Sequence, residues 1–381
     1  MADVLKAALV GCGSVAQRGI LPHLSLPDAR ESVRLAAVVD AVAERAQQSA
    51  QKFDVPAHFT GVDEMLSSAE IDLVIIATPI PFHFQNAMAA ISAGKHVYVN
   101  KTMTTTLAEA DQLLAARDRA GVKLAAAPGY DLCSTTQRMR EIVRGGGLGH
   151  IYTAFTYTLG FGHEHEPIRG GSGSLAEIDP AWYYRAGAGP LPDVTVYALQ
   201  LATSVLGPVR RVTALGNKGA EQREWRGQAI TVEVDDNNLV LLEFATGTLA
   251  VAVGANCTGS PRIPWGGMGL YGTDGALEIT EVEMKSGYPV AFELSGRAAE
   301  RHGHGYVTSL DAQPYVTGEH LTIEEPHIYI DIMDLADAIR EDRAPRASGE
   351  QARHVVEIVE AALTAARTGQ TQHLRSSFET D

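Results

Sequence analysis

Cysteine is scarce in this 381-residue chain: Cys12, Cys133 and Cys257 stand far apart and show no metal-ligand spacing. That excludes a disulfide framework and a cysteine metal centre, and predicts a protein of the reducing cytoplasm. Long apolar runs are missing too. None approaches the ~20 residues that a membrane span needs. The stretch Met1-Ala2-Asp3-Val4-Leu5-Lys6 has no basic region followed by an apolar one, so no secretory signal is expected. Positive charge is outnumbered, with 31 Lys plus Arg against 46 Asp plus Glu, a net −15. That balance argues against nucleic acid or an anionic membrane as a partner and serves solubility. Internal repeats and low-complexity linkers are absent as well. A hydrophobic content of 45% and a charged content of 20% are ordinary for a soluble enzyme, and the length allows two or three domains.

The richest stretch is Ala7-Ala8-Leu9-Val10-Gly11-Cys12-Gly13-Ser14-Val15-Ala16. An apolar run of strand length feeds a G-x-G-x-x-A turn from which a helix can start, the dinucleotide-binding fingerprint. Gly11 permits the tight turn, Gly13 lets a pyrophosphate approach the backbone, and Ala16 lets helix and strand pack closely. Ser14 and Val15 open the helix, whose free N–H groups favour phosphate. Val33 to Asp40 reads as the second strand. Asp40, 24 residues after Ala16, is placed to accept from the ribose hydroxyls. Ala41 and Val42 follow it rather than arginine, so NAD is favoured over NADP. Arg45 is the one nearby cation able to turn toward a phosphate, or else it lies on the face of the next helix.

Ile71 to Pro79 is a buried strand running into a loop, and 81–93 is the next helix. Lys95 to Lys101 is a strand with Lys101 at its carboxyl end, where ligands of open α/β sheets sit. Leu107 to Ala120 is helical, and Val122 to Ala126 is a further strand. The alternation predicts an α/β chain with a doubly wound parallel sheet over residues 1–127.

Gly11-Cys12-Gly13, Ala77-Thr78-Pro79, His83, Ala93-Gly94-Lys95-His96-Val97 and Lys101 together resemble the Gfo/Idh/MocA oxidoreductase family. The resemblance implies that Thr78, Pro79, His83, Asn100 and Lys101 join Gly11, Gly13, Ser14, Val15, Asp40 and Arg45 around the cofactor. The family's usual Glu-Lys-Pro reads Asn100-Lys101-Thr102 here, so the lysine is kept and both neighbours differ.

Residues 128–381 change pattern. Leu132 to Arg144 is a predicted helix. Strands are predicted at 151–157, 209–215, 231–234, 238–244, 248–254, 269–272 and 276–279, with helices at 327–340 and 351–367. Strands in series point to a mostly antiparallel sheet. The layout is similar to the family's C-terminal domain, which implies an open sheet that carries substrate and a homodimer or homotetramer interface. Trp182 to Tyr197 is similar to the family segment Gly-Gly-Pro-Leu-x-Asp-x-x-x-His. Asp193 and Tyr197 are four apart on one helix face, and tyrosine replaces the histidine, as in some branches of the family.

Oxidising an alcohol needs a hydride acceptor and a base. A tyrosine with a pKa near ~10 is a poor base unless a lysine ammonium stands by it. Lys101, Asp193 and Tyr197 are therefore the expected catalytic trio, converging from two domains near the nicotinamide. Tyr197 as a satisfied core aromatic is the plainer alternative. His163-Glu164-His165-Glu166 lacks the H-E-x-x-H spacing and reads as a glycine-rich loop at the substrate mouth, with no metal expected. Tyr130 and Arg138 are placed either to reach a sugar or simply to pack. The expected activity is NAD-dependent hydride transfer to or from a secondary hydroxyl of a sugar, cyclitol or related polyol. The alternatives are an NAD-binding regulator or scaffold without turnover, and an enzyme that retains its NAD through a redox hydrolysis or transhydrogenation cycle.

Overall fold

The computed structural model describes residues 4–257 and 265–379. It forms two compact units, each discontinuous in sequence. The first joins Met1–Gly129 to His165–Asp179 and Tyr315–Ala352. The second joins Tyr130–Glu164, Pro180–Pro314 and Arg353–Asp381. A sequence division at 127/128 treats everything beyond as one stretch, whereas the chain returns twice to the first unit.

The first unit is built on six parallel strands: β1 (Leu5–Val10), β2 (Val33–Val39), β3 (Ala57–Phe59), β4 (Leu73–Ile76), β5 (His96–Val99) and β6 (Leu124–Ala126). Their order is β3-β2-β1-β4-β5-β6. β1 pairs in parallel with both β2 and β4, so the order reverses there and a crevice opens at the strands' carboxyl ends. β4 is buried at all four residues because helices cover both faces. Each such Leu, Ile or Val contributes roughly 1.5–3 kcal/mol. Helix Leu107–Ala120 has defined ends. Thr106 accepts from Glu109 N–H at 3.2 Å while the Glu109 carboxylate accepts from Thr106 N–H at 3.2 Å. Gly121, at φ +67°, closes it in the left-handed region that L residues disfavour. Helix Pro326–Arg340 is buried along most of its length within this unit. Its Asp331 accepts from the Tyr98 hydroxyl and from Gly129 N–H, both at 3.2 Å.

The second unit carries β7 (Ile151–Gly160), β8 (Val209–Asn217), a separate hairpin of β9 (Gln222–Trp225) and β10 (Gln228–Thr231), then β11 (Asn237–Phe244), β12 (Leu249–Asn256), β13 (Gly267–Gly272), β14 (Gly275–Glu283), β15 (Tyr288–Leu294), β16 (Gly305–Val307) and β17 (Gln372–His373). Nine of these form one sheet in the order β16-β15-β14-β13-β7-β12-β11-β8-β17. It is antiparallel except for β7 beside β12. The strand expected at 231–234 is instead the end of the β9–β10 hairpin and the turn after it. Helix Val196–Leu206, buried at every residue, packs on β7, β12 and β13. Side chains alternate across a sheet. Val212, Ala214, Val240, Leu242, Ala250 and Ala252 are buried, while Leu215, Leu239, Leu241 and Leu249 are exposed on the other face.

Candidate active site

The turn after β1 is shaped by two glycines with different needs. Gly11 sits at φ +97°, and a Cβ there would lie 2.6 Å from the Ala77 carbonyl oxygen. A Cβ on Gly13 would meet nothing within 4 Å. Gly13 therefore faces open space, where a pyrophosphate fits. A helical run over 14–25 follows at once, with a wider π turn at Ala16–Ile20. Asp40, at the end of β2, braces this turn. Its carboxylate accepts from Cys12 N–H at 2.9 Å, Val42 N–H at 2.9 Å and Arg45 Nη1 at 3.1 Å. Burial and the Asp40 charge push the Cys12 thiol up to about 12, so it is inert packing. The residues fit a dinucleotide: a backbone cradle, a helix start, and an acid at the ribose position.

The loops after β4 and β5 are tied together by His83, which is fully buried. Its Nε2 lies 2.8 Å from the Thr78 carbonyl oxygen and its Nδ1 lies 2.7 Å from that of Thr102. Pro79 introduces the short turn that leads into helix His83–Ser92. Asn100 turns its Oδ1 back to accept from Lys101 N–H at 2.8 Å. The Lys101–Thr102 peptide is cis.

In the second unit, a π turn at Leu191–Thr195 leads into helix Val196–Leu206. It lies tight on β12, since a Cβ on Gly254 would fall 1.6 Å from Thr195 Oγ1. Asp193 is on the π turn and Tyr197 is one turn on. Both are buried, at 3% and 7% exposure. The Tyr197 ring packs edge-on against Trp265, with centroids 4.7 Å apart. Tyr130 is buried and its hydroxyl donates to the Gly287 carbonyl at 3.1 Å. Burial, with Tyr197 adding, raises its phenol well above the ordinary range. Arg138 pairs with Glu141 at 3.0 Å.

The glycine-rich loop expected at the substrate mouth divides. His163 and Glu164 stay with the second unit, and His163 Nε2 lies 2.6 Å from Asp193 Oδ2. Residues 165–179 lie along the cofactor turn of the first unit. Ser14 Oγ and Arg169 Nε both donate to Glu166 Oε2 at 2.9 Å. Arg45 Nε donates to the Ser174 carbonyl at 2.9 Å, and Gln48 Oε1 accepts from the Ser174 hydroxyl at 2.8 Å. Glu166 shows in the sequence only as the end of the His-Glu repeat, and nothing there points to Arg169 or to the contact with Ser14, because no motif announces a loop that returns across 152 residues of chain. The His-Glu repeat was the one visible sign of His163. Among the described residues, no group of three or more His, Cys, Asp or Glu could hold a metal ion, and no helix is long and apolar enough to cross a membrane.

Residues 5–127 match the oxidoreductase family with an NAD-binding Rossmann fold, and residues 136–278 match the GFO/IDH/MocA C-terminal domain. Scyllo-inositol 2-dehydrogenase (NADP(+)) of Bacillus subtilis is 25% identical, over 97% of this chain and 96% of that one. Levoglucosan dehydrogenase of Pseudarthrobacter phenanthrenivorans is 23% identical over 82% of each. A solved structure of levoglucosan dehydrogenase with NADH superposes with a TM-score of 0.80 at 20% identity, covering 98% of this chain and all of that one. Both halves of the chain, each with the architecture that its motif requires, place it as an oxidoreductase of the Gfo/Idh/MocA family.

Proposed function

We propose that this enzyme moves a hydride between a secondary hydroxyl of a sugar, cyclitol or related polyol and NAD. The observation that carries the reading is the open cradle at Gly13 with Asp40 braced beneath it. Relatives named for inositol, glucoside and levoglucosan substrates give the polyol class. An acid at Asp40, with no arginine directly after it, favours two ribose hydroxyls over a 2′-phosphate. Bound NAD supplies the hydride acceptor. Lys101 of the first unit and Tyr197 of the second are assigned to the reacting oxygen, and Asp193, buried one helical turn before Tyr197, to orienting the substrate. The test is reduced-nicotinamide absorbance, backed by mass spectrometry for retained cofactor, across inositols, glucosides, levoglucosan and free aldoses with NAD and NADP. Conversion of none of them would remove the reading.

We also propose self-association through the exposed face of the nine-stranded sheet. Leu215, Leu239, Leu241 and Leu249 line an apolar face of the kind that monomers rarely leave open. A monomer in sedimentation at micromolar concentration would contradict this.

A further inference from the structure

Residues 165–179 return to the first unit as a strap that holds its own shape. Arg169, 2% exposed, ties its two ends together, with Nε on Glu166 at 2.9 Å and Nη1 on the Ile178 carbonyl. Between these ends the chain turns over the Gly173 carbonyl, which accepts from Ala176 N–H at 3.0 Å and from Glu177 N–H at 2.8 Å. Gly173 stands at φ +83°, in the left-handed region that glycine favours. Ala176 and Ile178 are buried. A compact loop with its ends tied is a fixed surface element rather than a slack connection.

The turn of this strap is fastened to helix Ala43–Phe53, the helix that follows β2. The Ser174 hydroxyl donates to Gln48 Oε1 at 2.8 Å. Arg45, three residues before Gln48, donates from Nε to the Ser174 carbonyl at 2.9 Å and from Nη2 to the Glu177 carbonyl at 3.4 Å. Its third nitrogen, Nη1, donates to Asp40 Oδ1 at 3.1 Å. All three nitrogens of the guanidinium are therefore engaged.

Asp40 is thus one half of an ion pair. Toward a 2′-phosphate the two opposite charges largely cancel, so the acid alone is a weak barrier. An unoccupied guanidinium beside the ribose position would instead welcome a phosphate, whose oxygens fit its fork. The strap prevents this by filling that fork with two backbone carbonyls. We infer that residues 174–177 are a cofactor-selecting element, an inference that rests on the NAD reading above. They deny the Arg45 fork to a 2′-phosphate, so discrimination against NADP lies in this clamp as well as in Asp40. Because main-chain carbonyls make the clamp, no side-chain motif records it.

Calorimetry with NAD and with NADP on the full chain, paired with amide hydrogen exchange, tests the clamp. Ser174→Gly, Leu175→Gly and Ala176→Gly together remove the hydroxyl held by Gln48 and a buried side chain, and they free the backbone. Exchange at the amides of 176 and 177 should quicken. NADP affinity should rise about tenfold or more relative to NAD, the scale of a charge-assisted hydrogen bond. Adding Arg45→Met should abolish that gain. An unmoved ratio of the two affinities, a gain that survives Arg45→Met, or exchange as slow as in the wild type would overturn the inference. If the triple variant does not fold, Gln48→Ala removes only the Ser174 hydrogen bond and should move the ratio roughly threefold the same way. An unmoved ratio there overturns the inference equally. A wild type that binds NADP as tightly as NAD would remove the NAD reading, and one that binds neither would remove the dehydrogenase reading.

Discussion

His83 Nδ1 lies 2.7 Å from the carbonyl oxygen of Thr102, the residue directly after Lys101. The opposite ring nitrogen reaches the Thr78 carbonyl at 2.8 Å, so one buried side chain joins the loops after β4 and β5. Each contact sets a ring nitrogen against a backbone carbonyl, which can only accept. His83→Ala would leave two buried carbonyls without this donor, at about 1–3 kcal/mol for each that stays unsatisfied. The expected result is a lower melting temperature and a kcat reduced ~10-fold or more as Lys101 loses its support. A variant with wild-type melting and turnover would show that the tie is dispensable.

Asp40 holds the turn through Cys12 N–H, and in the proposed reading it also presents its negative charge to the ribose. It also holds Arg45 at 3.1 Å. Asp40→Ser removes the charge and frees Arg45 Nη1 to meet a 2′-phosphate, while Nε stays on the Ser174 carbonyl. Titration of both cofactors should show weaker NAD and stronger NADP. Equal affinity of the wild type for the two would void the argument.

Glu166 puts a carboxylate on the Ser14 hydroxyl, at the start of the helix to which the proposed reading gives the phosphates. It also occupies Arg169, which is buried and cationic. Phosphate and carboxylate repel, so Glu166→Gln should tighten NAD binding several-fold, about 1 kcal/mol for partly screened charges. Weaker binding in calorimetry would mean that Glu166 works chiefly by ordering residues 165–179.

The central strands, the fingerprint, Asp40 and the long helices are legible because each is local: an apolar period, a glycine spacing, a cap. The short β3 and β9 are not, nor is β15, a seven-residue strand interrupted by Pro289. Helix 107–120 was readable to the residue, since Thr106, Glu109 and Gly121 write its ends into the sequence. What escaped depends on contacts between distant residues. The edge strand β16 is three residues long and paired only by position. The contacts of Glu166 with Ser14 and of His163 with Asp193 join residues 152 and 30 apart, which no local pattern encodes. The same holds for His23 and His320, whose Nδ1 atoms face each other at 2.7 Å across 297 residues.

That histidine pair predicts a pH dependence. His23 Nε2 donates to the Glu324 carbonyl at 3.1 Å, so its Nδ1 accepts from His320. Burial, with His320 adding, lowers the His23 pKa to about 3. The unfolded chain takes the proton near ~6.5, so it binds more protons than the native state between those values. Native stability from this site is therefore full above ~6.5 and declines as pH falls toward 3. Melting curves should show this decline, and His23→Gln should flatten it. An unchanged slope in that variant would assign the acid sensitivity elsewhere.

The last prediction concerns Lys101 and Tyr197. If the Lys101 ammonium stands beside the reacting oxygen, it favours the deprotonated form of every acid near it and lowers the pKa of the group that takes the proton. Lys101→Met should then raise the apparent pKa of the oxidation rate and cut turnover by ~10²-fold or more. The sign follows from charge: removing a cation makes a neighbouring base easier to protonate, so higher pH is needed to empty it. Tyr197→Phe keeps the edge-on packing against Trp265 but removes the hydroxyl. It should reduce turnover and leave NAD affinity intact, because the hydroxyl is assigned to the substrate oxygen and not to the dinucleotide. Two outcomes would count against the trio. One is a Tyr197→Phe enzyme with normal turnover, which would make Tyr197 a packing residue. The other is a Lys101→Met profile that falls in amplitude without moving along the pH axis, which would leave the lysine a role in holding substrate and none in setting the proton affinity of the base.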